Sequence, residues 1–275
     1  MLDAANPRQI LLPSCLLADL SVIIVSHDKP RFIREALKSV LDQTHQNWQA
    51  ILVDSGVLLN QGHFKEYTDP RLQIIPSGET RALAQTKNMA SWCFNNVIRS
   101  GILTGELILY LCDDDLFYPE AFSTYWNFYT ANDRKPQAMY ASQDIGAVEG
   151  DGPLQIIGQR RAQKPAGKFC RGMRLDCKVD YLQFCHTAGI LDEYRKVYKT
   201  DEIHTEDKRN AHHADGIFME RVGALTKVFN IDKVTSINRR TDASVNIHRS
   251  HTALGRVGDL IKAKLRGLPD RLRGR

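Results

Sequence analysis

The chain has 275 residues, of which 43% are hydrophobic and 25% charged, proportions of a globule with a sizeable core that exclude a disordered or fibrous chain. The formal net charge of +5 is unevenly spread: Arg256, Lys262, Lys264, Arg266, Arg271, Arg273 and Arg275 face only Asp259 and Asp270, and the remainder is close to neutral. The basic balance therefore describes a terminal appendage, and a nucleic-acid-binding domain is excluded.

Residues 1–19 read as an N-terminal extension. Met1-Leu2-Asp3 lacks a basic leader and Pro13 breaks the apolar stretch Ile10 to Leu17, so no signal peptide is expected. No run approaches the ~18 apolar residues of a membrane helix. The cysteines (Cys15, Cys93, Cys112, Cys170, Cys177, Cys185) form no C-x-x-C pair, which argues against structural zinc and fits reduced thiols in a cytoplasmic protein.

Leu20-Ser21-Val22-Ile23-Ile24-Val25-Ser26 is a short β-branched run suited to a buried parallel strand. Pro30 opens a helix that places Phe32 or Ile33, Ala36, Leu37, Val40 and Leu41 on one face. Strands are expected at Gln49 to Asp54 and Leu72 to Ile75, then a helix from Arg81 to Ser100, then a strand from Glu106 to Cys112. This alternation predicts an α/β fold with a Rossmann-like, mostly parallel central sheet covered by helices on both faces. Ligands of such sheets bind beyond the carboxyl ends of the strands. Those ends carry Ser26-His27-Asp28, Asp54-Ser55-Gly56 and Asp113-Asp114-Asp115.

Residues 20–135 thus form a first half that carries these strand ends. Residues 136–248 follow a looser pattern, with a strand at Ala138 to Gln143, a turn at Glu149 to Gly152, and loop or short strand from Gln159 to Arg174. A helix from Asp215 to Leu225 and a strand from Lys227 to Ile231 complete it. Residues 249–275 form a tail in which Leu254, Val257, Ile261, Leu265 and Leu268 share a helical face flanked by basic residues. Such a helix from 254 to 275 suits an anionic membrane surface, and equally suits packing on its own domain or a partner subunit.

Three adjacent carboxylates repel one another unless a cation or many donors compensate. At a strand end, Asp113-Asp114-Asp115 suits Mg²⁺ or Mn²⁺, which prefer carboxylate, phosphate and water oxygens. By itself the triplet is equally compatible with a hydrated turn.

The run Ser21 to Pro30, followed by Ala36-Leu37-Lys38-Ser39-Val40-Leu41-Asp42-Gln43-Thr44, resembles the opening of family 2 inverting glycosyltransferases. Gly105-Glu106-Leu107-Ile108 through Cys112-Asp113-Asp114-Asp115 and Pro119-Glu120 resembles the family's G-E-x-I-x-x-L-D-x-D-D…P-E segment. Asn88 with Ala90 resembles its R-N-x-G/A element, and Ala214 to Arg221 has the spacing of its E-D-x-x-x-x-x-R segment. The likeness spans about Leu20 to His248 and is nearest the spore-coat SpsA type.

The resemblance implies a GT-A fold, with residues 20–135 as the nucleotide-sugar-binding half and 136–248 as the acceptor-binding half with the catalytic base, and transfer of a sugar from a nucleoside diphosphate, uridine by default, to a glycan or lipid-linked acceptor hydroxyl. It implies a role in surface polysaccharide or glycolipid synthesis, peripheral at the inner face of the membrane. Asp114 would bind the cation, Mn²⁺ or Mg²⁺, with Asp115 nearby and Asp113 on the ribose or metal shell. Asp215 would be the general base, although a helix cap is its ordinary alternative. Ser26, His27, Asp28, Asp54, Arg81 and Asn88 complete the donor-binding candidates, with His27 placed to stack on the base.

Two departures stand out: Ser55 follows Asp54 where the family has a second acid, and Cys112 replaces the first acid of D-x-D-D. They motivate the alternative of a catalytically degenerate domain that binds nucleotide or glycan, or regulates a partner. A nicotinamide dehydrogenase is excluded because no G-x-G-x-x-G follows the first strand. His212-His213 and Arg239-Arg240 are further candidates for acceptor or phosphate contacts, each with a surface alternative. Cys185-His186 reads as core or acceptor-site lining.

Overall fold

A computed structural model describes residues 17–161 and 179–241. The tail at 249–275, the end of the 136–248 stretch and most of the basic Gln159 to Arg174 stretch lie outside the described residues.

The β-branched runs expected as strands are strands. β1 (Leu20–Ser26), β2 (Trp48–Asp54), β3 (Leu72–Pro76) and β4 (Leu107–Cys112) pair in parallel in the order β3-β2-β1-β4. Burial explains the absence of polar alternation: every residue of β1 is buried, and its successive side chains enter opposite cores. Leu20, Val22 and Ile24 pack with α1 (Pro30–Leu41) and α4 (Ala121–Ala131). Ile23 and Val25 pack on the other face with α3 (Met89–Ser100), α5 (Gly189–Tyr198) and α6 (Ala214–Leu225). Helices therefore cover both faces, and each fully buried Ile or Leu contributes about 1.5–3 kcal/mol relative to exposure.

The first four strands are all parallel, as expected, and beyond them the pairing is mixed. β5 (Leu116–Phe117), β6 (Ala138–Ala147), β7 (Gln155–Arg160), β8 (Phe184–Thr187) and β9 (Val228–Arg240) extend the sheet in the order β4-β8-β6-β9-β5. Of these contacts only β6–β9 is parallel; β4–β8, β8–β6, β5–β9 and the β6–β7 hairpin are antiparallel. β6 and β9 run well past their expected ends because they register on each other from Ala138–Val228 to Ala147–Arg240.

The expected helix from Arg81 to Ser100 is broken. α2 (Arg81–Thr86) ends at Lys87, and α3 begins after Asn88, both residues being extended. Neighbours from the second half of the chain pull the backbone away from helix here. The Asn88 amide donates to the Glu206 carbonyl (2.8 Å), Lys87 bridges to Asp207, and Lys87 Nζ meets the buried Glu206 carboxylate at 3.0 Å. The same pairing docks the 206–213 segment, which leads into α6, against the start of α3.

Motif residues away from any cavity hold elements together. Gln43 is buried, donates to Ser39 and Tyr118 carbonyls (2.8 and 2.7 Å) and accepts from the Phe122 amide (2.9 Å), clamping α1 to α4. Gly105 lies so close to β1 that a Cβ there would sit 2.2 Å from the Ser21 nitrogen.

Candidate functional site

The ends of β2, β1 and β4 open onto two adjoining cavities. One, of about 400 Å³, is lined by His27, Asp28, Asp54, Ser55, Glu79 and Arg81 among others. The other, of about 480 Å³, shares His27, Ser55 and Glu79 and adds Lys29, Asp113 and Asp114. The fold thus brings together His27, Asp28, Asp54 and Arg81 on one side, and Asp113 with Asp114 on the other.

In the first cavity Asp54 is buried; Oδ2 accepts from the Leu59 amide (2.9 Å), while Oδ1 has no protein partner. A buried carboxylate oxygen without a donor is costly, and it marks a place for a ligand N–H or O–H. Glu79 Oε2 is orphaned in the same way. Asp28 has a positive φ of 51° and accepts from the Val57 amide at 2.8 Å, so its carboxylate holds the loop that follows β2. Ser26 is buried behind the strand end and lines neither cavity, its hydroxyl lacking a partner.

His27 is exposed, with Nδ1 at 3.3 Å from the Ser55 carbonyl and 3.1 Å from the Ser55 hydroxyl, which itself donates to the Ser26 carbonyl. Both partners accept, so Nδ1 carries a proton. Ser55, the departure from the family pattern, is thus the residue that sets the His27 ring.

The acidic triplet divides by direction. Asp113 accepts from the His27 amide (2.7 Å) and from Lys29 Nζ (2.8 Å), and Asp114 takes the same ammonium at 2.9 Å. Asp115 turns to β9, where Oδ1 accepts from the Arg239 amide (2.9 Å) and Asn238 Nδ2 (3.2 Å). Burial raises the Asp115 pKa well above the carboxylate range, with Asp114 adding to the effect. Burial also pulls the Lys29 ammonium down, but Asp113 and Asp114 outweigh it and hold its pKa above the ordinary lysine value. Burial raises Asp113 against the pull of Lys29; the shifts of the two partners oppose one another, and the short bonds favour the charged pair.

Asp113 and Asp114 fit a hard divalent cation. Their oxygens already converge on one cationic atom, and phosphate or water would complete the shell. Cys112 does not join them, because burial and the neighbouring carboxylates push its thiol up and keep it protonated. Among the described residues no group of three or more His, Cys, Asp or Glu side chains is arranged to hold an ion.

Asn88 lies at the start of α3, beside the cavity-lining Met89 and Ala90, and leads into a chain of bonds that the sequence did not reveal. His186 Nδ1 faces the Thr187 carbonyl (2.9 Å) and must carry a proton, so Nε2 accepts from Tyr110 (2.7 Å). Tyr110 then accepts from His204 Nε2 (3.1 Å), and His204 Nδ1 accepts from Tyr181 (3.0 Å). Ser91 acts in turn on the Tyr181 hydroxyl, opposing the effect of burial, and the Ser91 oxygen accepts from Asn88 Nδ2 at 2.9 Å. One proton order satisfies every link from His186 to Tyr181. The charge of Asp215 acts on Tyr181. Asp215 stands in the first turn of α6, half-buried, with Oδ1 accepting from the Gly216 amide at 2.8 Å.

The remaining sequence candidates separate. Arg239 is buried against the Phe32 ring (4.8 Å) and Glu35 (2.7 Å), facing α1 rather than either cavity. Cys185 and His186 are core. His213 is exposed before α6.

The sequence pattern described as Glycosyl transferase family 2 matches residues 21–229. The chain belongs to glycosyl transferase family 2. Protein CgeD of Bacillus subtilis (strain 168) is 24% identical over 237 residues, covering 84% of this chain and 52% of CgeD; this chain spans about half the length of that relative. Among solved structures, S. aureus TarS 1-349 in complex with UDP-GlcNAc superposes with a TM-score of 0.57 at 14% identity, covering 82% of this chain and 60% of TarS 1-349. The mannosyltransferase PcManGT of Pyrobaculum calidifontis, in complex with GDP-Man and Mn²⁺, superposes with a TM-score of 0.52 at 14% identity, covering 91% and 65%. The GT-A expectation for the fold therefore holds. Among the described residues no helix is long and apolar enough to cross a membrane.

Lys29 and Glu79 were not singled out from sequence. Lys29 left a signal: a cation just before a helix-opening proline, where the helix dipole favours an anion. Glu79 left none.

Proposed function

We propose that this chain transfers a sugar, with inversion, from a nucleoside diphosphate to an acceptor hydroxyl. The observation that carries the reading is the orphaned Asp54 oxygen beside the Asp113–Asp114 pair, in adjoining cavities at parallel strand ends. Asp54 receives a donor of the nucleoside, His27 stacks on the base, and Arg81 and Asn88 take phosphate or ribose. Asp113 and Asp114 hold Mn²⁺ or Mg²⁺, which when bound neutralises charge developing on the departing diphosphate. Asp115 supports the loop through β9.

Asp215 takes the proton of the acceptor hydroxyl as its oxygen attacks the anomeric carbon, and the nucleoside diphosphate leaves with the electron pair of the broken C–O bond. Asp215 lies in the first turn of α6, where the helix dipole favours the negative charge a base needs. One in-line displacement inverts the anomeric centre. The TarS and PcManGT structures hold UDP-GlcNAc and GDP-Man respectively; the family resemblance makes uridine our first choice of donor, and surface polysaccharide or glycolipid synthesis the setting.

Calorimetric titration of UDP, GDP, dTDP and CDP, each with Mn²⁺ and with EDTA, tests this reading. Metal-dependent binding of one nucleotide, lost in Asp114→Ala, is expected. Binding of none of the four would overturn it in favour of a degenerate domain.

A further inference from the structure

Lys29 sits at the N-cap of α1, where the helix dipole disfavours a cation. The side chain is nevertheless drawn inward to 28% exposure, with Nζ 2.8 Å from Asp113 Oδ1 and 2.9 Å from Asp114 Oδ2. The ammonium therefore stands where a single cation satisfies both carboxylates. A second observation bears on the same place: only these two acids converge there, no larger ligand cluster existing among the described residues. A hard cation that takes about six oxygens would find two protein side chains and an ammonium already between them.

A free metal ion entering this site has to expel Lys29 and leave its charge half-buried without a partner, which is unfavourable. A nucleoside diphosphate removes both obstacles, because its phosphate oxygens complete the metal shell and accept the displaced ammonium. We propose that Lys29 is a resident counter-ion that makes divalent-metal binding conditional on nucleotide, the ion entering the Asp113–Asp114 pair only together with the diphosphate. The inference rests on the metal reading given above and goes beyond it by assigning an order of binding and a residue that enforces it. Lys29 is a positioning residue here: it acts through the two carboxylates.

The test is Mn²⁺ titration followed by electron paramagnetic resonance of the free ion, with no turnover involved. The parent chain, Lys29→Met and Lys29→Arg are compared without nucleotide, with UDP and with GDP; Lys29→Gln, which keeps hydrogen-bond donors without charge, serves should Lys29→Met fail to fold. Without nucleotide, the parent and Lys29→Arg are expected to bind Mn²⁺ at least about tenfold more weakly than the neutral variant, a coupling of ordinary size. With one of the two nucleotides saturating, the gap closes. Equal or weaker Mn²⁺ binding by the neutral variant without nucleotide overturns the role of Lys29 while leaving the metal reading in place. Absence of Mn²⁺ binding from every chain under all conditions overturns the metal reading and this inference together.

Discussion

Tyr110 donates its hydroxyl proton to Nε2 of His186 across 2.7 Å, both side chains fully buried between β4 and β8. The bond requires His186 to be neutral, since a protonated imidazole has no lone pair to offer. Burial supplies that condition by lowering the His186 pKa from 6.5 to about 4, and it also lowers His204 well below the ordinary histidine value.

Stability should therefore fall with acid. In the unfolded chain His186 takes up a proton near pH 6.5, whereas the folded chain resists until about pH 4. Between these values the unfolded state binds more protons, so stability is fully present above pH 6.5 and is lost as pH falls towards 4. The shift corresponds to on the order of 3 kcal/mol. Thermal melts from pH 7.5 to 4 check this, and His186→Gln should flatten the dependence; an equal slope in that variant would remove His186 as its source.

Asp215→Asn should reduce transfer roughly 100- to 10,000-fold while leaving nucleotide affinity within error, because only the proton acceptor is lost. Donor binding by calorimetry and transfer by product release are measured on the same preparation. Unchanged turnover would leave Asp215 as an ordinary helix-start acid.

The two neighbouring acids should separate cleanly. Asp115→Ala strips the Arg239 amide and Asn238 of their acceptor, costing about 2 kcal/mol and lowering Tm by roughly 5 °C, with Mn²⁺-dependent nucleotide affinity nearly intact. Asp115→Asn, which keeps an acceptor oxygen, should restore most of the loss. Asp114→Ala should do the reverse, abolishing the metal dependence with little change in Tm. A joint loss of metal dependence in Asp115→Ala would return Asp115 to the metal shell.

Gly105→Ala should destabilise by about 1–3 kcal/mol, because its Cβ would lie 2.2 Å from the Ser21 nitrogen and 2.4 Å from the Leu20 carbonyl carbon. Backbone atoms of a central strand cannot step aside as a flexible side chain can. Denaturant unfolding of the variant measures the cost, and parental stability would mean that β1 yields.

Much of this was legible in the sequence, for physical reasons. Continuous apolar runs such as Val22 to Val25 and Leu107 to Leu111 bury on both faces wherever they fold, so the parallel strands, their polar ends and the face of α1 follow from local pattern alone. His27, Asp54 and Asp114 could be placed at one crevice because strand ends of such a sheet converge. What depended on distant partners could not be read. The break at Lys87–Asn88 is made by Glu206 and Asp207, more than a hundred residues away. The antiparallel return of β8 depends on its pairing with β4 and β6. The turning of Asp115 onto β9 while Asp114 meets Lys29 depends on which donors, the Arg239 amide or the Lys29 ammonium, lie within 3 Å of each carboxylate. Local pattern determined the sheet and the address of the site; long-range hydrogen bonds and ion pairs decided which way each acid points.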